Sequence, residues 1–341
     1  MVRIAIDAMG GDYAPEEVIK GAVEAAREYE GLELILVGRE ETVRALLDAE
    51  GLPLSIKAAS QVIAMEEQPA QAVRAKKDSS IVVATEMVRD GQADAVVTMG
   101  HSGAGMVAAL LILGRIEGIQ RPAAGVHYFN IQSQTFVLDL GLSVDCKAEH
   151  LLQFALMGSI YAQKILGIER PTVALLSNGA EDNKGNQVGR EAFLLLKESG
   201  LNFIGNVEGL DIPRGRANVI VCDGFAGNVV LKLTEGLSEA LFDMMEEEIR
   251  NALPGEVFQS HFLPALARLR KKMDYAEIGG APVLGVNGIS IIGHGRSKAK
   301  AVKSAIYQAK LAVERNLVEA IRMEIERKVE KEDRVYQRPI T

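Results

Sequence analysis

Apolar and β-branched residues fall in short runs along this chain, at residues 4–7, 32–37, 93–98, 135–140, 172–176, 219–222 and 289–292. Stretches with helical spacing of apolar positions lie among them, at residues 15–29, 40–50, 79–90, 149–166, 187–198 and 229–252. Strand-length runs alternating with helix-spaced runs predict βαβ units and an α/β fold with a mostly parallel sheet. In such sheets ligands sit beyond the carboxyl ends of the strands, which directs attention to the loops that follow each run. Those loops are rich in glycine. No internal repeat and no low-complexity linker marks a boundary, so one domain over residues 1–341 is expected, as a single body or as two lobes around a cleft.

Two further patterns stand apart. Val313, Leu317, Ile321 and Ile325 recur every four residues and give one apolar stripe on a long charged helix, which predicts packing against the body or a second subunit. Beyond Val329 the stripe ends, and residues 330–341 are expected to fray. Within residues 253–282, Phe262, Leu266, Leu269 and Met273 follow one helical face, with Arg268, Arg270, Lys271 and Lys272 clustered beside it. Most such stripes are core. Here Pro254, Gly255, Gly279 and Gly280 punctuate the flanks, and the segment reads as an exposed amphipathic hairpin extension that offers cations and a shallow apolar face to an anionic membrane.

Composition narrows the class. Hydrophobic residues make up 48% of the 341 and charged residues 25%, which fits a globular chain with a sizeable core rather than a disordered one. The 38 basic and 46 acidic residues leave 38 − 46 = −8, which argues against nucleic-acid binding through a basic surface. Cys146 and Cys222 have the spacing of neither a disulfide framework nor a zinc site, which points to a reducing compartment. No charged start leads into a long apolar stretch, and nowhere do about 18 apolar residues run together. The expected location is the cytoplasm, with peripheral attachment to the inner face of the membrane.

Five loops carry the candidate chemistry. In Asp7 to Pro15, Gly10 and Gly11 let the backbone turn and approach a ligand, although a purely structural turn explains the same residues. In Thr98 to Gly105, amides at a helix start form an anion cradle around Gly100 and Gly103, with His101 and Ser102 as further donors. That loop also contains Gly103-x-Gly105-x-x-Ala108, a dinucleotide fingerprint without the acidic strand-end residue about 20 positions on that the fingerprint requires. In Ser177 to Asn186, Lys184 is a compact charge for phosphate and Asn186 a hydrogen-bonding partner, unless the loop is simply a solvated turn. In Asp223 to Val229, Asn228 either donates to a developing oxyanion or caps a helix. The last loop, residues 279–288, leads through a strand to Gly293-His294-Gly295-Arg296-Ser297-Lys298. Gly288 and Gly293 have P-loop spacing, but His294 stands where that motif needs lysine, so Ser297 and its neighbours suit a smaller anion than a nucleoside triphosphate.

In order along nearly the whole chain, DAMGGDYAP, GHSGAG, SNGAEDNKGN, DGFAGNVVLK, GGAPVLGVNG and GHGRS resemble the bacterial acyl-ACP:phosphate acyltransferase (PlsX) family. DGFAGN and PVLGVNG are also similar to segments of phosphate acetyltransferases. The resemblance implies formation of acyl phosphate from acyl-ACP for phospholipid synthesis. It further implies a homodimer and a three-layer α/β/α fold related to isopropylmalate dehydrogenase and phosphate acetyltransferase. The implied partners are acyl carrier protein as donor, inorganic phosphate as acceptor, and a downstream membrane acyltransferase that uses acyl phosphate; the basic hairpin would also meet the acidic carrier. No cofactor and no metal is expected.

The chemistry stands on its own reasoning too. Phosphate monoesters have a second pKa of about 6, so inorganic phosphate arrives as a part dianion and needs no serine-histidine pair. The leaving thiol resembles cysteine, with a pKa of about 8.5, and departs with modest help. The protein must hold phosphate against the thioester and stabilise the oxyanion. Lys184 and the Gly100 to Gly105 loop are assigned to phosphate and Asn228 to the oxyanion, with Asp223 and His294 as orienting groups or proton donors. A nicotinamide oxidoreductase and a non-catalytic phosphate or carrier-protein sensor are the competing classes. The first would bind NADH, and the second would leave thioester intact.

Overall fold

The computed structural model describes residues 1–128, 134–273 and 279–336. Among the described residues, one sheet contains β1 (Val2–Asp7), β2 (Leu32–Gly38), β3 (Ser55–Ala58), β4 (Ala95–Thr98), β5 (Ala123–Tyr128), β6 (Thr135–Leu138), β7 (Val173–Leu176), β8 (Phe203–Val207), β9 (Val219–Val221), β10 (Ala281–Leu284) and β11 (Ile289–Ile292). Their order is β3-β2-β1-β4-β11-β10-β5-β6-β9-β7-β8. From β3 to β11 every neighbouring pair is parallel, and so is every pair from β6 to β8. Between these halves β10 runs antiparallel to both β11 and β5, and β5 antiparallel to β6, so the two parallel halves point in opposite directions.

The helices are α1 (Glu16–Glu28), α2 (Glu40–Glu50), α3 (Pro69–Ala75), α4 (Ser80–Arg89), α5 (Ser102–Ala108), α6 (Ala148–Lys164), α7 (Gln187–Glu198), α8 (Gly224–Ala252), α9 (Gly255–Val257), α10 (Leu263–Met273), α11 (Ala299–Glu314) and α12 (Leu317–Tyr336). Alternate strand residues enter opposite layers, as the period of two requires. Ile4, Ile6, Leu34 and Leu36 pack with Val18, Ile19 and Val23 of α1 and Val302 and Ile306 of α11. Ala5, Ile35 and Val37 pack instead with Ile81 and Val82 of α4 and Ala104 and Ala108 of α5. The result is a three-layer α/β/α body.

Four strands were not among the runs read from the sequence, each for a physical reason. β3 is a short edge strand with polar Ser55 and Lys57. In β5, Ala123, Ala124 and Gly125 lack β-branched bulk, because the Phe136 ring of β6 occupies the space over Gly125. β8 carries Gly205 and Asn206 in place of a continuous apolar run. β10 contains Pro282, tolerated because this strand pairs over only two residues with each neighbour. The C-terminal stripe is divided: Asn316, at φ 51°, separates Val313 on α11 from Leu317, Ile321 and Ile325 on α12, which are 2%, 1% and 3% exposed and belong to the main core beside α6. α12 continues past Val329 to Tyr336, because Glu, Lys and Arg are strong helix formers without an apolar stripe.

A polar group lies inside the second half. Tyr161, wholly buried and stacked on Phe136, receives hydrogen bonds from Gln308 Nε2 at 3.1 Å and pairs with His127 Nε2 at 2.8 Å. Burial pushes the His127 imidazole down from 6.5 to about 4. Between those values the unfolded chain takes up a proton that the folded chain refuses, so this contribution is complete above pH 6.5 and is lost as pH falls towards 4. On going from pH 7 to pH 4.5, denaturant titrations should show the wild type losing about 2 kcal/mol more stability than His127→Gln. Equal losses in the two proteins would rule out His127 as the source.

Candidate active site

Beyond the carboxyl ends of the strands the chain forms two corners built alike. At the first, β1 ends in Asp7, whose Oδ2 accepts from Thr98 Oγ1 at 2.7 Å and whose Oδ1 accepts from Met9 N at 3.3 Å. Thr98 Oγ1 in turn accepts from Gly100 N at 3.0 Å. At the second, β6 leads into Asp139, whose Oδ1 accepts from Ala124 N at 2.9 Å and Leu140 N at 2.8 Å, and whose Oδ2 accepts from Ser143 N at 2.6 Å. Burial raises the pKa of both carboxyls, while the donors around them pull it back down.

The helices that rise from these corners begin earlier than their apolar spacing indicates. α5 starts at Ser102 and α8 at Gly224, so GHSGAG and DGFAGN are first helical turns and not open loops. Each has a side-chain cap. His101 Nδ1 accepts from Gly103 N at 3.1 Å and Ala104 N at 3.4 Å, and its Nε2 faces Glu67 O at 3.1 Å, which places the ring proton on Nε2. Asp223 Oδ1 accepts from Ala226 N at 2.7 Å. The amides of Gly100, Gly103 and Ala104 are thus already bonded within the chain. Gly10 and Gly100 lie backbone against backbone, since a Cβ on Gly10 would come 2.9 Å from Gly100 Cα. The space enclosed there, about 10 Å³ between Asp7, Ser80, Thr98 and His101, has room for one water and not for phosphate. Packing alone requires these glycines.

The structure sorts the sequence-derived residues between the corners. Gly10, Gly11, Gly100, His101, Ser102 and Gly103 surround the first, joined by His294 and Ser297 from the neighbouring end of β11. Gly295 O accepts from Asp12 N at 2.8 Å and ties those loops together. Ser297 is 3% exposed and its hydroxyl has no hydrogen-bond partner among the described residues, while the first turn of α11 is capped by Glu17, whose Oε2 accepts from Ala299 N at 2.8 Å. Asp223 and Asn228 belong to the second corner, with Lys184 and Asn186 on the loop after β7, the strand next to β9. Asn186 is an N-cap, accepting from Gly189 N at 2.8 Å. Asn228 and Lys184 are exposed and make no side-chain hydrogen bond or ion pair among the described residues.

α8 links the corners. It starts at the second, yet its Glu239 pairs with Arg296 of the first at 3.3 Å, and Lys232 and Glu235 stand beside His294. Burial, then Lys232, hold the His294 pKa below its usual value, and its Nδ1 accepts from Arg296 N at 3.2 Å. Leu142, just after Asp139, and Met106 of α5 pack against the same apolar cluster, which contains Ile292 of β11, so both corners border one region.

The hairpin is less open than its sequence indicates. Leu266 is 4% exposed because α10 folds back on α8, and Arg270 pairs with Asp243 at 3.0 Å and Glu246 at 3.4 Å while covering the Phe242 ring. Phe262 is half-buried, whereas Arg268 and Leu269 are exposed. The side chains of Lys271 and Lys272 lie outside the described residues. Asp139 is the residue that sequence reasoning missed. Its signal was available: an acidic residue closing an apolar strand, followed closely by Gly141, as Asp7 is by Gly10.

A family model described as fatty acid synthesis protein matches residues 2–320. The phosphate acyltransferase of Pelotomaculum thermopropionicum is 55% identical over 328 residues, covering 95% of each chain, and that of Heliobacterium modesticaldum 52% over 333 residues, covering 96% of this chain and 99% of the other. The chain belongs to the phosphate acyltransferase family. Its fold is also that of EutD phosphotransacetylase from Staphylococcus aureus (TM-score 0.60, 17% identity, 92% of this chain and 94% of that one) and a phosphotransacetylase from Streptococcus pyogenes (TM-score 0.60, 20% identity, 94% of each).

Within this acyltransferase fold the thiols are poor nucleophiles. Burial, then Asp139 and Asp223, push Cys146 up to about 12 and Cys222 well above its ordinary value. The thiolate is the reactive form, so neither side chain is primed for attack. The double variant with Cys146→Ala and Cys222→Ala should retain turnover within about threefold, apart from stability lost with the buried Cys222. Abolished turnover in a folded double variant would require a covalent thioester step.

Proposed function

We propose that the protein transfers the acyl group of an acyl-ACP thioester to inorganic phosphate, releasing acyl phosphate for phospholipid synthesis. Family membership supports acyl transfer with phosphate. The adjacency of β9 and β7 carries the site reading, because the segments after these neighbouring strands hold the carboxamide of Asn228 and the ammonium of Lys184, both exposed and without a side-chain partner among the described residues. One suits an oxyanion and the other a phosphate.

In this reading an oxygen of hydrogen phosphate attacks the carbonyl carbon, the new C–O bond forms, and the carbonyl oxygen takes up charge against Asn228 Nδ2. The C–S bond then breaks with its electron pair on sulfur, and the phosphate proton ends on the thiolate. Asp223 holds the helical turn that carries Asn228. His294 keeps its proton on Nε2, the form that can relay it to sulfur.

The protein acts as a homodimer on the cytoplasmic face of the membrane. Phe225, Val229, Leu233, Leu237 and Leu241, each 50% to 65% exposed, form one apolar face along α8. A continuous face about 24 Å long is more than a lone soluble subunit leaves to water, and a second copy would cover it. Arg268 and Leu269 support docking of α10 on anionic lipid or the acidic carrier protein, and acyl phosphate would pass to a membrane acyltransferase.

Purified protein given acyl-ACP and phosphate should yield acyl phosphate, trapped as hydroxamate. Lys184→Ala should lower kcat/KM for phosphate by about 10- to 100-fold with unchanged melting. Intact thioester in the wild type would refute the enzyme reading, and phosphate kinetics within twofold in the variant would refute the role of Lys184. For the surface, Arg268→Glu with Leu269→Glu should abolish pelleting with anionic vesicles while soluble turnover stays within about twofold. Unchanged pelleting would refute lipid docking by α10, and a raised KM for acyl-ACP would show carrier docking there.

A further inference from the structure

Each corner uses one buried acidic residue to seat the first turn of a helix on the sheet. Asp7 and Asp139 are 2% and 0% exposed. Gly100 before α5 and Gly224 at the start of α8 press on these carboxylates and on the glycine that follows each, Gly10 or Gly141. The second corner has a link that the first lacks. Asp139 Oδ2 accepts from Ser143 N at 2.6 Å, and Ser143 O accepts from Gly224 N at 2.8 Å, the first residue of α8. The carbonyl oxygen of Asp139 lies against Gly227, leaving no room there for a side chain. A methyl group on Gly224 would sit 2.7 Å from Asp139 Oδ2, so helix and carboxylate are in direct contact. Asn228 follows one residue after Gly227, with its side chain beside Gly141: Asn228 Cβ and Cγ lie 3.6 Å and 3.7 Å from the position of a Cβ on Gly141. The same short stretch, Asp139 to Ser143, therefore fixes both the helical turn and the flank of the carboxamide.

We infer that Asp139 is a positioning residue for Asn228, setting the place of its carboxamide through Ser143 and the first turn of α8; this rests on Asn228 being the oxyanion donor. Only a carboxylate fits the task. Its two oxygens accept from three backbone N–H groups on β5 and the turn that follows β6. Asparagine would replace one oxygen by a donor, so either Ser143 N or the pair Ala124 N and Leu140 N would face an N–H group. The turn would shift, and a reacting group displaced by more than about 0.5 Å loses much of its effect. Asp7 has no such link to α8. It acts on α5 through Thr98 and Gly100.

A double-mutant cycle on the full chain tests this, with kcat and both KM values measured for acyl phosphate formation. Asn228→Ala should lower kcat about 100-fold. Asp139→Asn should lower it about tenfold with both KM values within twofold, and adding it to Asn228→Ala should cost no more than a further twofold. Asp7→Asn is the control, and its effect should multiply with that of Asn228→Ala. A merely structural Asp139 would also multiply, and that result overturns the inference. If Asn228→Ala leaves kcat unchanged in an active wild type, the oxyanion assignment fails and the inference falls with it. Should Asp139→Asn not fold, Gly224→Ala presses a methyl on the same carboxylate and is read in the same cycle with the same two outcomes.

Discussion

The antiparallel seam formed by β10 and β5 is the constraint from which the rest of the architecture follows. It is narrow: β10 pairs with β11 through Ala281 and Pro282, and with β5 through Val283 and Leu284. Each reversal of direction there turns one parallel half against the other. Without it, all strand ends would open on one edge and the two corners would lie side by side along it. With it, the corners come from opposite edges, and the stepped pairing of β10, its first two residues with the end of β11 and its last two with the start of β5, brings those edges together. Leu142 and Met106, packed against the one cluster that contains Ile292, and the pairing of Glu239 with Arg296 mark where they meet.

Much of this was legible in the sequence where one residue type answers one physical demand. Residues 40–50 and 187–198 were recovered with the observed bounds as α2 and α7, because apolar spacing and capping agree there. The seam was not legible. Its strands contain Gly125, where a side chain would collide with the Phe136 ring, and Pro282, tolerated by the short pairing of β10, and such residues read as loop in one dimension. Both loops were read as leading into helices, but the early first residues of α5 and α8 were hidden for a related reason. Glycine signals a turn by propensity, but Gly224 is glycine because a carboxylate lies above it. The sequence showed no repeat at the scale of a domain. What recurs is a strand-end acid with a glycine soon after it, too short to register as a repeat and visible only when both strands have a neighbour.

The candidate site was legible as a set of residue types and less so as an arrangement. Glycines taken as room for a ligand at Gly10 and Gly100 are filled by backbone, and His101 engages both ring nitrogens within the chain, Nδ1 capping its own helix and Nε2 donating to Glu67 O. Lys184 and Asn228 are exposed and without a side-chain partner among the described residues. Several other cations are engaged: Arg44, Arg89, Lys197, Arg250 and Arg322 all sit in exposed ion pairs, which contribute little to stability. Lys184 is an exposed ammonium without such a pair among the described residues.

The position of β11 bears on how the molecule forms on the ribosome. β1 and β11 come from opposite ends of the chain and flank the same strand, β4. The half that contains the first residues made therefore waits, with one edge of β4 unpaired, until residues 289–292 have emerged. The strands of the other parallel half, β6 to β9, come from one continuous stretch and can assemble while synthesis proceeds. A nascent chain of this design carries an open sheet edge through most of its translation, and the half begun first is the half completed last.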